Sequence, residues 1–370
     1  MRRALLAASL LSIGVGAQAQ SSVTLYGRID TGIEYVSGLV NGSGTGSTSR
    51  WRAESGDWGT SLWGMRGTED IGGGTKIIFK LENGFNAMTG QQGNATTFFQ
   101  RWAYVGAQND AYGTLTAGRM LWLSNGVWDF DPLGQSKWSS ASLVRGRNWP
   151  QTSNNIAYKS PVFAGFDVSA VYALSNSTSF NAPGIAGGQG RSDGVQVTYT
   201  SPLFQARGIY DEVRNPATGR FDDVFNYSRE YFGGLNVFLG QFKLQAVYQA
   251  SVAPAAVAGM PTRTQQEWGG VTWRASPFAS LIGAVYHVNT NHGGGNATIY
   301  TVGGTYYLSK RTLLDFQAAT VRNSKNANFG LSANAAGHGG PSSASSTGFN
   351  DNPLPGHSQS GFYLGIQHSF

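Results

Sequence analysis

Val23-Thr24-Leu25-Tyr26-Gly27-Arg28-Ile29-Asp30-Thr31-Gly32-Ile33-Glu34-Tyr35 alternates with a period of two. Val23, Leu25, Ile29, Ile33 and Tyr35 fall on one face, and Thr24, Tyr26, Arg28, Asp30 and Glu34 on the other. That period belongs to a half-buried β-strand. A charge at hydrocarbon depth is expensive, so the Arg28, Asp30 and Glu34 face must point to water. If the apolar face meets lipid, the strand is polar inside and apolar outside, the inverse of a soluble core.

The same pattern recurs along the chain. Ile77, Phe79 and Leu81 oppose Lys76, Lys80 and Glu82; Phe166, Val168, Ala170 and Tyr172 oppose Asp167 and Ser169; Phe242, Leu244, Ala246 and Tyr248 oppose Lys243, Gln245 and Gln249. Only around Phe278 to Asn289 does the alternation fail to assign faces. Counting such segments gives about sixteen strands whose connections alternate short and long, one rim of turns and one of loops, as in a membrane-spanning barrel. Tight turns such as Glu69 to Gly74 sit between loops such as Ser37 to Ser49, Asn86 to Thr97, Ser175 to Arg191 and Asn323 to Gln359. The expected fold is all-β, a 16-stranded antiparallel transmembrane β-barrel. The last strand carries Phe362, Leu364, Ile366, His368 and Phe370 on its outward face.

Composition agrees. Of 370 residues 52 are glycine, 12% are aromatic and 12% charged, against usual shares of about 7% glycine and about 25% charged. Cysteine is absent, so no disulfide stabilises the chain. Arg2 and Arg3, an apolar run from Ala4 to Val15 and Ala17-Gln18-Ala19 read as a signal peptide cleaved after residue 19, leaving residues 20–370 as the barrel. No other apolar run approaches the ~18 residues of a membrane helix. A net charge of +6, spread along the chain, does not argue for nucleic acid.

One loop stands apart. Arg119 to Trp149 has neither sustained strand period nor long helical face, and loops of this length tend to be functional. It holds Trp122, Trp128, Trp138 and Trp149 among Asp129, Asp131, Lys137, Arg145 and Arg147. Residues 119–150 are expected to fold into the barrel mouth and narrow it.

Leu25-Tyr-Gly-Arg-Ile-Asp30, Met65-Arg-Gly-Thr-Glu-Asp-Ile-Gly-Gly-Gly74, Ala103-Tyr-Val-Gly106, Gly113-Thr-Leu-Thr-Ala-Gly-Arg119, Arg147-Asn-Trp149, Asn154-Asn-Ile-Ala-Tyr158, Leu308-Ser-Lys-Arg-Thr312 and Gly365-Ile-Gln-His-Ser-Phe370 resemble the general porins of β-proteobacteria, the anion-selective ones included. The resemblance implies a homotrimer among outer-membrane lipid and lipopolysaccharide, an inward-folded third extracellular loop, and a terminal Phe370 read by the outer-membrane assembly machinery. It further implies a water-filled channel for small hydrophilic solutes and ions, mildly anion-preferring. By resemblance the pore constriction falls on Arg101 and Arg147, faced by Glu82 and Asp129. A further wall arginine of anion-selective relatives falls on Leu62, and Arg50 or Arg52 is a candidate replacement.

Opposed fixed charges in a narrow channel bias which ions enter. The same four residues would also serve as ion pairs fastening the loop to the wall. Trp122, Trp128 and Trp138 admit two readings, a stacking track for solutes in a substrate-selective porin or loop packing. Trp63 and Trp102 are expected to face outward. A surface adhesin or glycan-binding barrel remains a lesser alternative. The five histidines lack metal-ligand spacing and no nucleophile motif is present, so no metal, cofactor or catalysis is expected.

Overall fold

A computed structural model describes residues 21–134, 136–144, 147–148, 151–174, 190–332 and 351–370. The signal-peptide reading, nearly all of the loop placed at 175–191, residues 333–350 of the loop placed at 323–359, and Arg145 and Trp149 fall outside these residues.

The strands are β1 (Ser22–Val40), β2 (Ser47–Ser55), β3 (Leu62–Gly72), β4 (Thr75–Gly84), β5 (Trp102–Asn109), β6 (Gly113–Leu121), β7 (Gln151–Lys159), β8 (Phe166–Ala173), β9 (Ser192–Thr200), β10 (Phe204–Val213), β11 (Arg229–Leu239), β12 (Phe242–Val252), β13 (Arg263–Arg274), β14 (Ala279–Thr290), β15 (Gly295–Tyr307), β16 (Thr312–Asn323) and β17 (Gln359–Ser369). Each pairs antiparallel with its neighbour in sequence except β2 and β3, which both pair with β1, and β17 returns to β1 in the register Arg28 opposite Ser369 through Ser37 opposite Ser360. The ring closes, which abolishes the edges that would otherwise invite pairing with other chains.

Seventeen segments make sixteen barrel positions because the second is broken. The upper half of β1 pairs with β2, Thr31 opposite Ser55, while its lower half pairs with β3, Arg28 opposite Leu62. Between them, Gly56 takes φ +78° and the chain steps out of the ladder. Asp30 holds this step: its carboxylate accepts from Gly59 N at 2.9 Å, and its own N–H donates to Ser61 Oγ at 3.0 Å.

The faces are inverted as the alternation predicts. Val23, Leu25, Ile29, Ile33, Leu244, Leu364 and Ile366 are exposed, whereas Asp30, Glu34, Glu82, Gln245, Gln249, Asp315 and Gln317 are buried. Arg28, Glu82 and Lys243, whose position on the exterior would have contradicted this fold, all lie on the inner face. Among the described residues no helix is long and apolar enough to cross a membrane; the strands are the spanning elements.

On β14, where sequence alternation assigned no faces, Ile282, Ala284, Tyr286 and Val288 point inward and are buried. They are apolar because the segment after β6 packs on them rather than water. The inward side of the wall is polar only where it is wet.

Candidate functional site: the inner wall and the segment after β6

Two neighbouring strands bring the first charges together. Glu82 lies on β4 opposite Trp102 of β5, and Arg101 comes one residue before that ladder begins. Arg101 Nε donates to Glu82 Oε1 at 2.7 Å, its backbone N–H to Glu82 O at 3.2 Å. The other carboxylate oxygen, Oε2, accepts from Tyr26 Oη at 2.8 Å and lies 3.3 Å from Lys80 Nζ. One carboxylate thus meets two cations and a phenol, so this part of the wall is net positive.

Arg101 and Trp102 both face the interior, which corrects the outward expectation for Trp102. Strict alternation fails here because Arg101 is not yet in the strand. Its side chain is turned inward by Glu82, and Trp102 is inward by register. Trp63 does face outward, opposite Gly27, and meets the rings of Phe98 and Phe99 at 6.1 and 6.5 Å.

Leu62 opens β3 on the inner face directly opposite Arg28. The Arg28 guanidinium lies over Gly59, where a Cβ would stand 2.7 Å from its Cζ; Arg28 Nε donates to Thr60 O at 3.0 Å. A positive charge therefore stands beside Leu62. Arg50 and Arg52 do not supply it, being engaged with Glu34, Glu54 and Asp351 higher on the wall.

After β6 a 3-10 helix (Leu123–Phe130) and a short helix α1 (Ser140–Val144) carry the chain. This segment is bonded to side chains of the strands β10 to β16. Tyr286 Oη donates to Asp131 Oδ1 at 2.6 Å, Trp268 Nε1 to Phe130 O at 3.1 Å, and Thr301 Oγ1 to Trp138 O at 3.0 Å. Ser136 bonds Gln317, and Lys137 pairs with Glu54 and with Asp57 at 3.0 Å. Gly361 of β17 makes room for an indole, since a Cβ there would lie 2.8 Å from the Trp138 ring.

Asp129 and Arg147 take different parts. Asp129 keeps 62% of its side chain exposed, paired with Arg207 Nη1 at 2.5 Å. Its backbone carbonyl accepts from Asn236 Nδ2 at 3.1 Å, Lys243 Nζ at 3.2 Å and Gln245 Nε2 at 3.3 Å. Arg147 is 1% exposed. It pairs with Asp211, lies 3.9 Å from Glu230 Oε2, and donates from Nε to Ser228 Oγ at 2.9 Å. Arg101 with Glu82 and Asp129 with Arg207 thus form two separate pairs, while Arg147 is an anchor with no wetted surface. Its partners Asp211 and Glu230 were not singled out in the sequence. Inward carboxylates near the long-loop ends of adjacent strands were the available signal.

Trp122 and Trp138 are 1% exposed and Trp128 8%. Their faces are occupied by protein, so these three offer no stacking track, and packing is what they do. The described residues hold no group of His, Cys, Asp or Glu side chains that could bind a metal.

Residues 4–326 match the family model for the Gram-negative porin. The chain is 28% identical to outer membrane porin protein 32 of Delftia acidovorans over the full length of both chains. It is 29% identical to an outer membrane porin of Bordetella pertussis, over 87% of this chain and 95% of that one. Its fold superposes on the anion-selective porin from Comamonas acidovorans with a TM-score of 0.77 at 24% identity, covering 95% of this chain and all of the other. The closed sixteen-position barrel, its inverted faces and these matches together establish that the chain belongs to the Gram-negative porin family, channels of the outer membrane rather than enzymes.

Proposed function

We propose that this porin is a general channel for passive diffusion of small hydrophilic solutes and ions, mildly anion-preferring, with residues 119–150 narrowing the bore. The supporting observation is the charge balance at Glu82. Arg101 and Lys80 both meet that carboxylate, and Arg66 and Arg28 stand on adjacent strands. Fixed positive charge along a low-dielectric wall raises the local anion concentration. On the far side Arg207 and Lys243 surround Asp129, whose exposed carboxylate sets the opposing charge. The relative from Comamonas is described as anion-selective, which supports the same reading.

We also propose a homotrimer, seated in outer-membrane lipid and lipopolysaccharide through its exposed apolar exterior, and a role for terminal Phe370 in recognition by the assembly machinery. Single-channel recording of the purified protein in planar bilayers under a salt gradient tests the channel reading. Ohmic steps with a reversal potential of anionic sign are expected. A cationic sign would refute the charge assignment, and absence of conductance the channel itself, leaving the adhesin reading.

A further inference from the structure

Resting on the porin reading, we infer that the inner wall at β1, β3, β4 and β5 carries a binding subsite for aromatic carboxylates, built from Tyr26, Arg66, Lys80, Trp102 and Tyr104.

Register places these residues in two adjoining rows on the inner face. Tyr26, Gly64, Glu82 and Trp102 form one, and Thr24, Arg66, Lys80 and Tyr104 the next, nearer the short turn at Asp70. Gly64 gives the Tyr26 ring its place, since a Cβ there would come within 2.8 Å of the phenol oxygen. Lys80 Nζ sits 4.5 Å from the centre of the Trp102 ring and 5.7 Å from that of Tyr26. Arg66 Cζ lies 5.4 Å from the Tyr26 ring, and Trp102 meets Tyr104 edge-on at 5.7 Å. Arg66 is exposed, and the other four side chains keep part of their surface open.

Two features point to a ligand. Arg66 and Lys80 are directly opposite each other on paired strands, and like charges so placed destabilise a sheet. Arg66 forms no carboxylate ion pair among the described residues, and Glu82 is already engaged by Arg101, Lys80 and Tyr26. An anion bridging Arg66 and Lys80 relieves that repulsion, the guanidinium donating two parallel N–H bonds to a carboxylate. Beside this anion position stand aromatic faces already polarised by cations. A plain anion uses only the charges; a planar ring bearing a carboxylate uses both. Trp122, Trp128 and Trp138, buried as they are, cannot supply this stacking surface.

Benzoate titrated into single channels carrying chloride current tests the site, with acetate and cyclohexanecarboxylate as matched controls. Benzoate is expected to reduce conductance reversibly and saturably, with a half-blocking concentration about three- to tenfold below that of either control, the range that one aromatic contact supplies. Trp102→Leu should remove that margin while leaving the reversal potential in a salt gradient unchanged. Arg66→Gln, at an exposed position that leaves the barrel intact, should weaken block by benzoate and acetate alike. Equal block by benzoate and cyclohexanecarboxylate would overturn the aromatic reading in favour of apolar partition. No benzoate block in a channel that keeps its anionic reversal potential would overturn the subsite alone, whereas loss of that potential in the unaltered protein refutes the porin charge assignment instead.

Discussion

Replacing Arg147 by Met separates an anchor from a selectivity charge. The guanidinium is 1% exposed and is held by Asp211, Ser228 and the nearby Glu230. Removing it leaves two buried carboxylates without a counter-charge, a change that costs about 3–5 kcal/mol when one partner of a buried pair is lost. Because the partners sit on β10 and β11 and Arg147 on the segment after β6, the loss falls on that seam. The opening equilibrium around α1 should rise by about two to four orders of magnitude. Hydrogen exchange read by mass spectrometry reports it at Ser142 and Arg147, whose amides bond Ser139 O and Val144 O. Adding Asp211→Asn and Glu230→Gln to Arg147→Met should recover most of the protection, since neutral amides at these positions need no counter-charge. Unchanged exchange in the single variant, or no recovery in the triple one, would refute the assignment of Arg147 as an anchor.

Other outcomes follow from the same geometry. Arg101→Ser should shift the reversal potential toward cations and Glu82→Gln toward anions, both read in a salt gradient; shifts of the same sign would contradict the opposed pair. Asp129→Asn should raise anion preference with a stability change under about 1 kcal/mol, because its carboxylate is 62% exposed while its backbone carbonyl carries the attachments to Asn236, Lys243 and Gln245; a large fall in the unfolding midpoint would count against this. Outside the strands, burial pushes the Asp351 carboxyl up, but two 2.9 Å bonds from Arg50 and the charges of Arg50 and Arg52 outweigh it and hold it below the ordinary value. The contribution of such a depressed acid is complete above about pH 4 and is lost as pH falls through its lowered value. A spin label at Ser358→Cys, in a chain without native cysteine, should therefore gain mobility only in strong acid, and Arg50→Gln should abolish the transition.

The barrel was legible because a charge in hydrocarbon is so costly that alternation on β1, β4, β12 and β17 admits one orientation. Legibility ended where local chemistry overrode the period. Ile282, Ala284, Tyr286 and Val288 face inward yet are apolar, since protein rather than water covers them. Trp102 follows an arginine that also faces inward but precedes the ladder. The break between β2 and β3 carries no composition signal beyond Gly56 and Gly59, and its purpose appears only when Asp30 is seen holding it. Of the four residues expected at the constriction, Arg101 and Glu82 are in direct contact and Asp129 stays wetted by its exposed carboxylate. Arg147 could not be told from a pore charge in the sequence, because its carboxylate partners lie more than sixty residues away.

The ring is joined where Gly27 and Phe370 exchange backbone hydrogen bonds, each 3.1 Å, and where Tyr363 reaches Asp30 across 333 positions. Every other junction joins segments adjacent in sequence or, for β1 with β3, one segment apart, whose closure entropy is small, whereas this one ties together nearly the whole polypeptide. Pairing of the first and last strands is therefore the contact of greatest sequence separation in the cylinder, the kind that carries the largest closure entropy. Until it occurs, the nascent sheet exposes two unsatisfied borders to whatever surrounds it.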